Sequence, residues 1–236
     1  MAELDGRVIA IAGAAGGLGP TVARRLANDG ATIAATDVNQ ERLDELGTDL
    51  GLPEDRYDGR TVDLLSEDAT REWVSALVDR FGQVDALLHL VGGWKGGDPI
   101  ATTPLSDYEW LHDLLVHTVQ HTTRAFYEQL ADSDHGRFVL VSSSQAQSPS
   151  GTNASYAATK AAAESWTLAL ADSLKDTNAT ANIVVINAIL TPSMREKNPE
   201  KKFPTFTSTD DLAEAIRYVL GDSAAKMNGK RLELHP

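Results

Sequence analysis

A glycine-rich turn between an apolar run and a helical stretch is the feature that most constrains the fold of this chain. Residues 8–12 are all apolar, which predicts a buried strand, and the helical stretch begins by Val22. Glycines between them let the backbone approach a pyrophosphate, and the helix N-terminus offers free N–H groups and a positive dipole end. This order of strand, turn and helix predicts a dinucleotide-binding site. Its predicted residues are Gly13, Gly16, Gly17, Leu18 and Gly19.

An acidic residue ends the second predicted strand. Residues 32–36 form this strand, and Asp37 follows directly. An acid at this point accepts hydrogen bonds from the adenosine ribose and repels a 2′-phosphate. No Arg or Lys lies in the glycine turn, and Val38 rather than a basic residue follows the acid. The pattern therefore favours NAD over NADP. The alternative is that Asp37 only caps the turn before the next helix.

Strands and helices alternate along the rest of the chain. Near-continuous apolar strands favour a parallel sheet with helices on both faces, so the sequence predicts an α/β fold in a single domain, residues 1–236. Further strands are predicted at residues 61–62, 86–91, 137–142, 183–186 and 230–234. Helices are predicted at 41–46, 66–81, 106–130, 155–174 and 208–221, with Ser66, Ser106 and Ser208 as N-caps.

Ligands of such sheets bind beyond the carboxyl ends of the strands. Six residues of chemical interest fall at or just past predicted strand ends. They are Gly13, Asp37, Asp63, Gly92, Ser143 and Asn187. We therefore expect them to gather along one edge of the sheet.

Composition and charge narrow the possible partners. The net charge is −13, from 21 basic and 34 acidic residues, which argues against a nucleic-acid partner. No apolar run approaches the roughly 20 residues that span a bilayer, and the N-terminus lacks a signal-peptide pattern. The sequence has no cysteine, so it has no disulfide framework. We expect a cytoplasmic protein with no membrane partner.

A tyrosine and a lysine lie four residues apart in a predicted helix, at Tyr156 and Lys160, and so share one helix face. A neighbouring ammonium favours the phenolate and lowers a phenol pKa from its usual value of about 10. Such a phenol is a usable general acid or base near neutral pH. The hydroxyl of Ser143 could then hold a substrate oxygen. Alone, a Tyr–Lys pair is common on solvated helices, but beside a dinucleotide site it predicts hydride transfer.

These motifs resemble the short-chain dehydrogenase/reductase family, over nearly the whole chain. Gly13, Gly17 and Gly19 match the family's Gly-x-x-x-Gly-x-Gly turn, and Tyr156 and Lys160 match its Tyr-x-x-x-Lys pair. The resemblance implies a doubly wound parallel sheet, the Rossmann fold. It also implies an oxidoreductase that uses NAD and acts on a small alcohol or ketone.

The resemblance assigns roles to individual residues. Tyr156 is the expected acid/base, Lys160 lowers its pKa and binds the nicotinamide ribose, and Ser143, thirteen positions before the tyrosine, positions the substrate oxygen. Further cofactor contacts are expected at Asp63, Leu64, Val91 and Gly92. Substrate contacts are expected at Trp94, Gln145 and Met194.

The sequence departs from the family pattern in four places. Ala12 stands where a threonine is usual, and His89 begins the string that replaces an Asn-Asn-Ala-Gly motif. Counting from Trp110, the position of a proton-relay asparagine is His117. A Pro-Gly pair is missing from residues 187–192. Two alternatives stay open: an NADPH-linked oxoacyl reductase, and a dinucleotide-binding regulator or inactive oligomer partner.

Two histidines, His117 and His121, have a spacing that can hold one metal ion. The glutamate of the zinc-protease pattern is missing between them, so we predict no metal site.

Two long predicted helices, at residues 107–130 and 155–174, are those through which family members commonly associate. The second is rich in alanine and carries Trp166, which favours close helix contacts and a large apolar contact. We predict a homo-oligomer, a tetramer before a dimer. The alternative is that the alanines only pack within one chain.

Overall fold

The computed structural model describes residues 3–235. Seven parallel strands form the central sheet, in the order β3-β2-β1-β4-β5-β6-β9. These strands are β1 (Val8–Ala12), β2 (Thr32–Asp37), β3 (Tyr57–Thr61), β4 (Ala86–His89), β5 (Arg137–Ser143), β6 (Thr180–Ile186) and β9 (Arg231–Glu233). A second sheet pairs β7 (Ala188–Leu190) with β8 (Phe206–Ser208), also in parallel. The predicted α/β class and parallel sheet are confirmed.

Helices cover both faces of the central sheet. They are α1 (Gly19–Asn28), α2 (Gln40–Leu50), α3 (Glu67–Phe81), α4 (Leu105–His112), α5 (Thr118–Asp132), α6 (Ala154–Ser173), α7 (Pro192–Lys197) and α8 (Thr209–Leu220). Because side chains alternate between the two faces of a strand, the residues of β1 pack into two hydrophobic cores, one on each face of the sheet. Ile9 and Ile11 pack with α1, α2 and α8, whereas Val8 and Ala10 pack with α3, α5 and α6.

Two of the three predicted helix caps are confirmed. Ser66 accepts a hydrogen bond from the N–H of Ala69, and Ser208 accepts one from Asp211. The predicted cap at Ser106 is wrong, because α4 already begins at Leu105, after Pro104. Proline holds its own φ near −65° and ends the extended chain there, so Ser106 falls inside the first turn.

The helix predicted over residues 106–130 is interrupted. Residues Asp113–His117 form a π-helical turn between α4 and α5, and the N–H of Thr118 donates to the carbonyl of Asp113, five residues back. Such a wide turn inserts one extra residue into a helix and is frequent at functional sites. It changes which side chains share a helix face.

Three strands begin or end at residues other than those predicted. The third strand begins at Tyr57 rather than Thr61, because an edge strand such as β3 carries few apolar residues and gives a weak apolar signal. The fourth ends at His89 rather than Val91, and the sixth begins at Thr180 rather than Ile183. The helix α7 and the strands β7 and β8 lie in a segment for which no element was predicted. Across residues 3–235, no helix combines the length and the apolar character that crossing a membrane requires.

Candidate active site

The glycine turn after β1 leaves no room for side chains at two of its positions. Gly13 has a φ of +81°, and a Cβ there would lie 2.8 Å from the backbone nitrogen of Val91. A Cβ on Gly19 would overlap the carbonyl oxygen of Ala14. The N–H groups of Gly13 and Ala14 both donate to the carbonyl of Thr36 on β2. The turn is therefore fixed tightly against β2 and the β4 loop, and it presents the N-terminus of α1 at the sheet edge.

Asp37 is held beside this turn. One carboxylate oxygen accepts the N–H of Ala15 at 3.0 Å, and the other accepts the N–H of Val38 at 2.8 Å. Each oxygen keeps a further lone pair for an outside donor. The cap of α2 is a different residue, since Asn39 accepts the N–H of Arg42. Asp37 is therefore not the cap of this helix.

The carboxyl edge of the sheet gathers the six residues expected there. Asp37 and Ser143 are the last residues of β2 and β5, and Gly13, Asp63, Gly92 and Asn187 follow within three residues of a strand end. Asp63 accepts the N–H of Leu65, and the carbonyl of Leu64 lies 3.0 Å from Nδ1 of His121. Backbone N–H groups at a helix start and a carboxylate beside them fit a dinucleotide, the first for the pyrophosphate and the second for a ribose.

Sequence reasoning missed Thr191 at this edge. Its methyl group lies 3.2 Å from the position of a Cβ on Gly17, and its hydroxyl accepts the N–H of Met194 at the start of α7. The threonine before a proline is a signal of a helix start, and it was available in the sequence for α7. Met194 is only partly exposed, on a helix that begins beside the glycine turn.

Tyr156 and Lys160 both lie on α6, as predicted. The Lys160 ammonium is buried, lies 5.9 Å from the centre of the Tyr156 ring and donates to the carbonyl of Val141 at 3.0 Å. Burial raises the pKa of Tyr156 above its ordinary value of 10.0, and the Ser143 hydroxyl lowers it by a smaller amount. Lys160 is not among the groups that shift the pKa of this phenol, so the predicted lowering by Lys160 is not seen here.

Ser143 is buried at the end of β5, with its hydroxyl within reach of Tyr156 and 3.3 Å from the N–H of Gln145. The side-chain oxygen of Gln145 is buried and lacks a hydrogen-bond partner among residues 3–235. Trp94 is 56% exposed and adjoins Gly96. An unpaired buried amide oxygen and an exposed indole are suited to contacts with a bound molecule.

A buried carboxylate sits behind Lys160, and sequence reasoning missed it. Glu164 accepts the Ser142 hydroxyl at 2.6 Å and Nε of Arg231 at 2.8 Å. Burial lowers the pKa of Lys160 to about 8, and Glu164 opposes that shift. The spacing of four residues between Lys160 and Glu164 on one helix was the available signal.

His89 is buried near Lys160. Its two ring nitrogens lie 3.1 Å from the Thr118 hydroxyl and 3.2 Å from the Thr122 hydroxyl. Burial, and then the charge of Lys160, lower the pKa of His89 to about 3, so the ring is neutral. The side chain of His117 is instead 41% exposed and bonds Asp113. Thr118, one residue past the predicted relay position, and Thr122 are the residues that reach His89.

Comparisons with known proteins identify the family of the chain. A family model described as short chain dehydrogenase matches residues 7–202. The 2,3-dihydro-2,3-dihydroxybenzoate dehydrogenase of Bacillus subtilis is 32% identical over 183 residues, 77% of this chain and 69% of that one. The 3-oxoacyl-(acyl-carrier-protein) reductase of Thermotoga maritima is 28% identical over 240 residues, 97% of this chain and 96% of that one.

Solved structures share the fold. An NAD+-bound xylitol dehydrogenase superposes with a TM-score of 0.87 at 23% identity, covering 99% of both chains. A short chain dehydrogenase from Burkholderia cenocepacia in complex with NADP gives 0.84 at 26% identity, covering 98% of this chain and 97% of that one. The chain therefore belongs to the short-chain dehydrogenase/reductase family, the NAD(P)-dependent oxidoreductases that act on CH–OH and C=O groups.

Proposed function

We propose that this enzyme interconverts an alcohol and a carbonyl compound with NAD(H), using Ser143, Tyr156 and Lys160. The observation that carries the proposal is the burial of Ser143 and Lys160 against a largely buried Tyr156 at the carboxyl end of β5. The nicotinamide supplies the hydride chemistry when bound, and the protein supplies orientation and electrostatics.

Tyr156 can act as the acid in one direction of the reaction and as the base in the other. A phenol with a pKa above 10.0 carries its proton at neutral pH, so it can donate that proton to a carbonyl oxygen that becomes an alcohol. The Ser143 hydroxyl can donate a second hydrogen bond to the same oxygen. In the reverse direction Tyr156 must first lose its proton.

The choice of NAD over NADP rests on Asp37 and its surroundings. An acid at the end of the second strand would repel a 2′-phosphate, and the neighbouring Val38 side chain is 91% exposed and uncharged. Two arginines of this region, Arg60 and Arg80, are both paired with the buried carboxylate of Asp58. They are therefore engaged away from a phosphate at Asp37.

Fluorescence titration with NADH and NADPH tests this choice. We expect tighter binding of NADH by the wild type, and a narrowed or reversed preference in the double variant Asp37→Ala/Val38→Arg. The exposed acid Asp44 on α2 gives a matched control, since Asp44→Ala removes the same charge away from the turn. Tighter binding of NADPH by the wild type would contradict the proposal.

A reductase of 3-oxoacyl groups that uses NADPH is a second candidate. The similarity to the Thermotoga maritima reductase over 97% of this chain favours it. A panel of ketones and one 3-oxoacyl thioester, each assayed with NADH and NADPH by nicotinamide absorbance, separates the two candidates. Faster turnover of the thioester with NADPH would favour the second, and cofactor binding without any turnover would favour the inactive regulator.

Assembly, domain organisation and location also belong to this proposal. We propose a single NAD-binding domain over residues 1–236, and a homo-oligomer formed through α5 and α6. Supporting it is the groove between these helices, lined among others by Tyr127, Trp166 and Leu170. Light scattering at micromolar concentration measures the mass, and a particle of one chain would contradict the oligomer. The cytoplasmic location stays a prediction.

A further inference from the structure

A cluster of two histidines and an aspartate lies outside the active site, where α4 gives way to the π-helical turn. His112, Asp113 and His117 each offer a ligand atom, and these atoms all lie within 4.8 Å of one another. Nδ1 of His117 is 3.0 Å from a carboxylate oxygen of Asp113, and the rings of His112 and His117 have centroids 4.4 Å apart. Ligands that converge this closely need only small side-chain adjustments to share one ion.

The wide turn is what creates the cluster. In a regular α-helix, residues five apart point about 140° away from each other, so His112 and His117 would not share a face. A π-helical turn is wider and closes on a bond between residues five apart, here from the Thr118 N–H to the Asp113 carbonyl, and the rings of His112 and His117 meet beside it, with centroids 4.4 Å apart. The sequence spacing alone therefore gave no sign of a site here, and the His117–His121 pair considered from the sequence is a different pair.

The geometry points to a binding site for a first-row divalent transition-metal cation, with His112, Asp113 and His117 as ligands and water in the other positions. Two imidazole nitrogens and one carboxylate oxygen suit Zn²⁺ and its neighbours. The side chains of His117 and Asp113 are 41% and 54% exposed, so an ion can enter without unfolding. The net charge of −13 raises the local concentration of cations.

The site is formed by residues other than Tyr156 and Lys160. It lies directly before Thr118, whose hydroxyl contacts the buried His89 near Lys160. An ion bound by three side chains across the turn would hold the wide turn closed. Because it binds the folded chain, the ion stabilises the protein by mass action, which a melting temperature reports without any assay of turnover.

Calorimetric titration of the full chain, without a histidine tag, with Zn²⁺ at pH 8 tests the proposal. We expect one ion per chain in the wild type and a rise in melting temperature. The substitutions His112→Ala and His117→Ala each weaken binding by about ten-fold or more, equal to about 1.4 kcal/mol, and abolish most of that rise. His135→Ala is the matched control, because His135 is a partly exposed histidine that also lies beside a carboxylate, that of Asp222.

A second measurement reads the ligands directly. The paramagnetic resonance spectrum of the chain loaded with one equivalent of Cu²⁺ should show coupling to two imidazole nitrogens, reduced to one in His112→Ala. Circular dichroism confirms that each variant is folded. Equal Zn²⁺ affinity in the wild type and the folded His112→Ala and His117→Ala variants would overturn the proposal, as would a wild type that binds no Zn²⁺.

Discussion

The nucleotide end of the site, at the glycine turn, is formed mainly by backbone groups, whereas the catalytic end, around Lys160, is formed by side chains. The nucleotide end is backbone: Gly13 and Gly19 make a turn with no space for a Cβ, and its N–H groups bond to β2. The catalytic end is formed by buried side chains, in which the charge of Lys160 acts on a neutral His89 and Glu164 binds Ser142 and Arg231. The first end therefore depends on steric fit, and the second depends on protonation. Substitution should disturb the first at every pH, and the second in a way that changes with pH.

The largest effect is expected from Gly19→Ala, at the nucleotide end. Its new Cβ overlaps backbone rather than a movable side chain, so α1 must shift against the turn. We expect a loss of about 3 kcal/mol or more in the free energy of unfolding, and weak NADH binding. Denaturant unfolding at pH 7 and at pH 9 measures it. Gly16→Ala is the control, because its Cβ would make an ordinary contact, 3.4 Å from the Gly13 carbonyl oxygen. Equal stability of the two variants would contradict the steric account.

A pH-dependent effect is expected from His89→Asn, at the catalytic end. The pKa of His89 is about 3 in the folded chain and 6.5 in an unfolded one, so the unfolded chain binds more protons between these values. Stability contributed by the neutral ring is therefore present above pH 6.5 and lost as the pH falls towards 3. Between pH 7 and pH 4 the loss amounts to about 3 kcal/mol.

In His89→Asn, the part of the stability loss at low pH that comes from His89 should disappear. The other titrating groups keep their contributions to the pH dependence of stability. Urea unfolding of wild type and variant at pH 7 and pH 4 gives the difference. Parallel pH dependences in the two proteins would show that His89 is not the group that titrates. A neutral Asn can still bond one of the two threonines, so the variant is expected to fold.

A smaller effect is expected from Glu164→Gln. The amide keeps an acceptor for Arg231 but removes the charge, so we expect a stability loss of about 1–2 kcal/mol. Because Glu164 raises the pKa of Lys160, its loss should lower that pKa below about 8. NADH affinity, measured from pH 6 to pH 9, should decline as the pH rises and Lys160 loses its proton. This decline should occur at a lower pH in the variant than in the wild type. Superimposable profiles would separate Glu164 from the function of Lys160.

The sequence was sufficient where the signal is local. The glycine spacing, the acid at Asp37 and the order of strands predicted the sheet and the residues at its edge, because each depends on neighbours within about 30 residues. Most of the edge strand β3 was missed, because a strand at the edge of the sheet is only partly buried and carries few apolar residues. The π-helical turn was missed too, because 3.6-residue periodicity assumes a regular helix.

Contacts between distant residues were the least accessible part of the site. Glu164 meets Arg231 across 67 positions, and Thr118 meets His89 across 29. No spacing rule connects such residues. The relay position was assigned to His117 by counting from Trp110, and the π-helical turn Asp113–His117 within that interval was not visible to the count.

Turnover and NADH binding by Tyr156→Phe, measured side by side, test the central claim most directly. This substitution keeps the ring packed on α6 and removes only the phenolic proton. We predict that kcat for a ketone identified in the panel falls by a factor of about 10²–10⁴, while the NADH dissociation constant and the unfolding midpoint stay near wild type. Turnover at the wild-type rate with intact NADH binding would show that Tyr156 is not the acid/base, and would contradict the account.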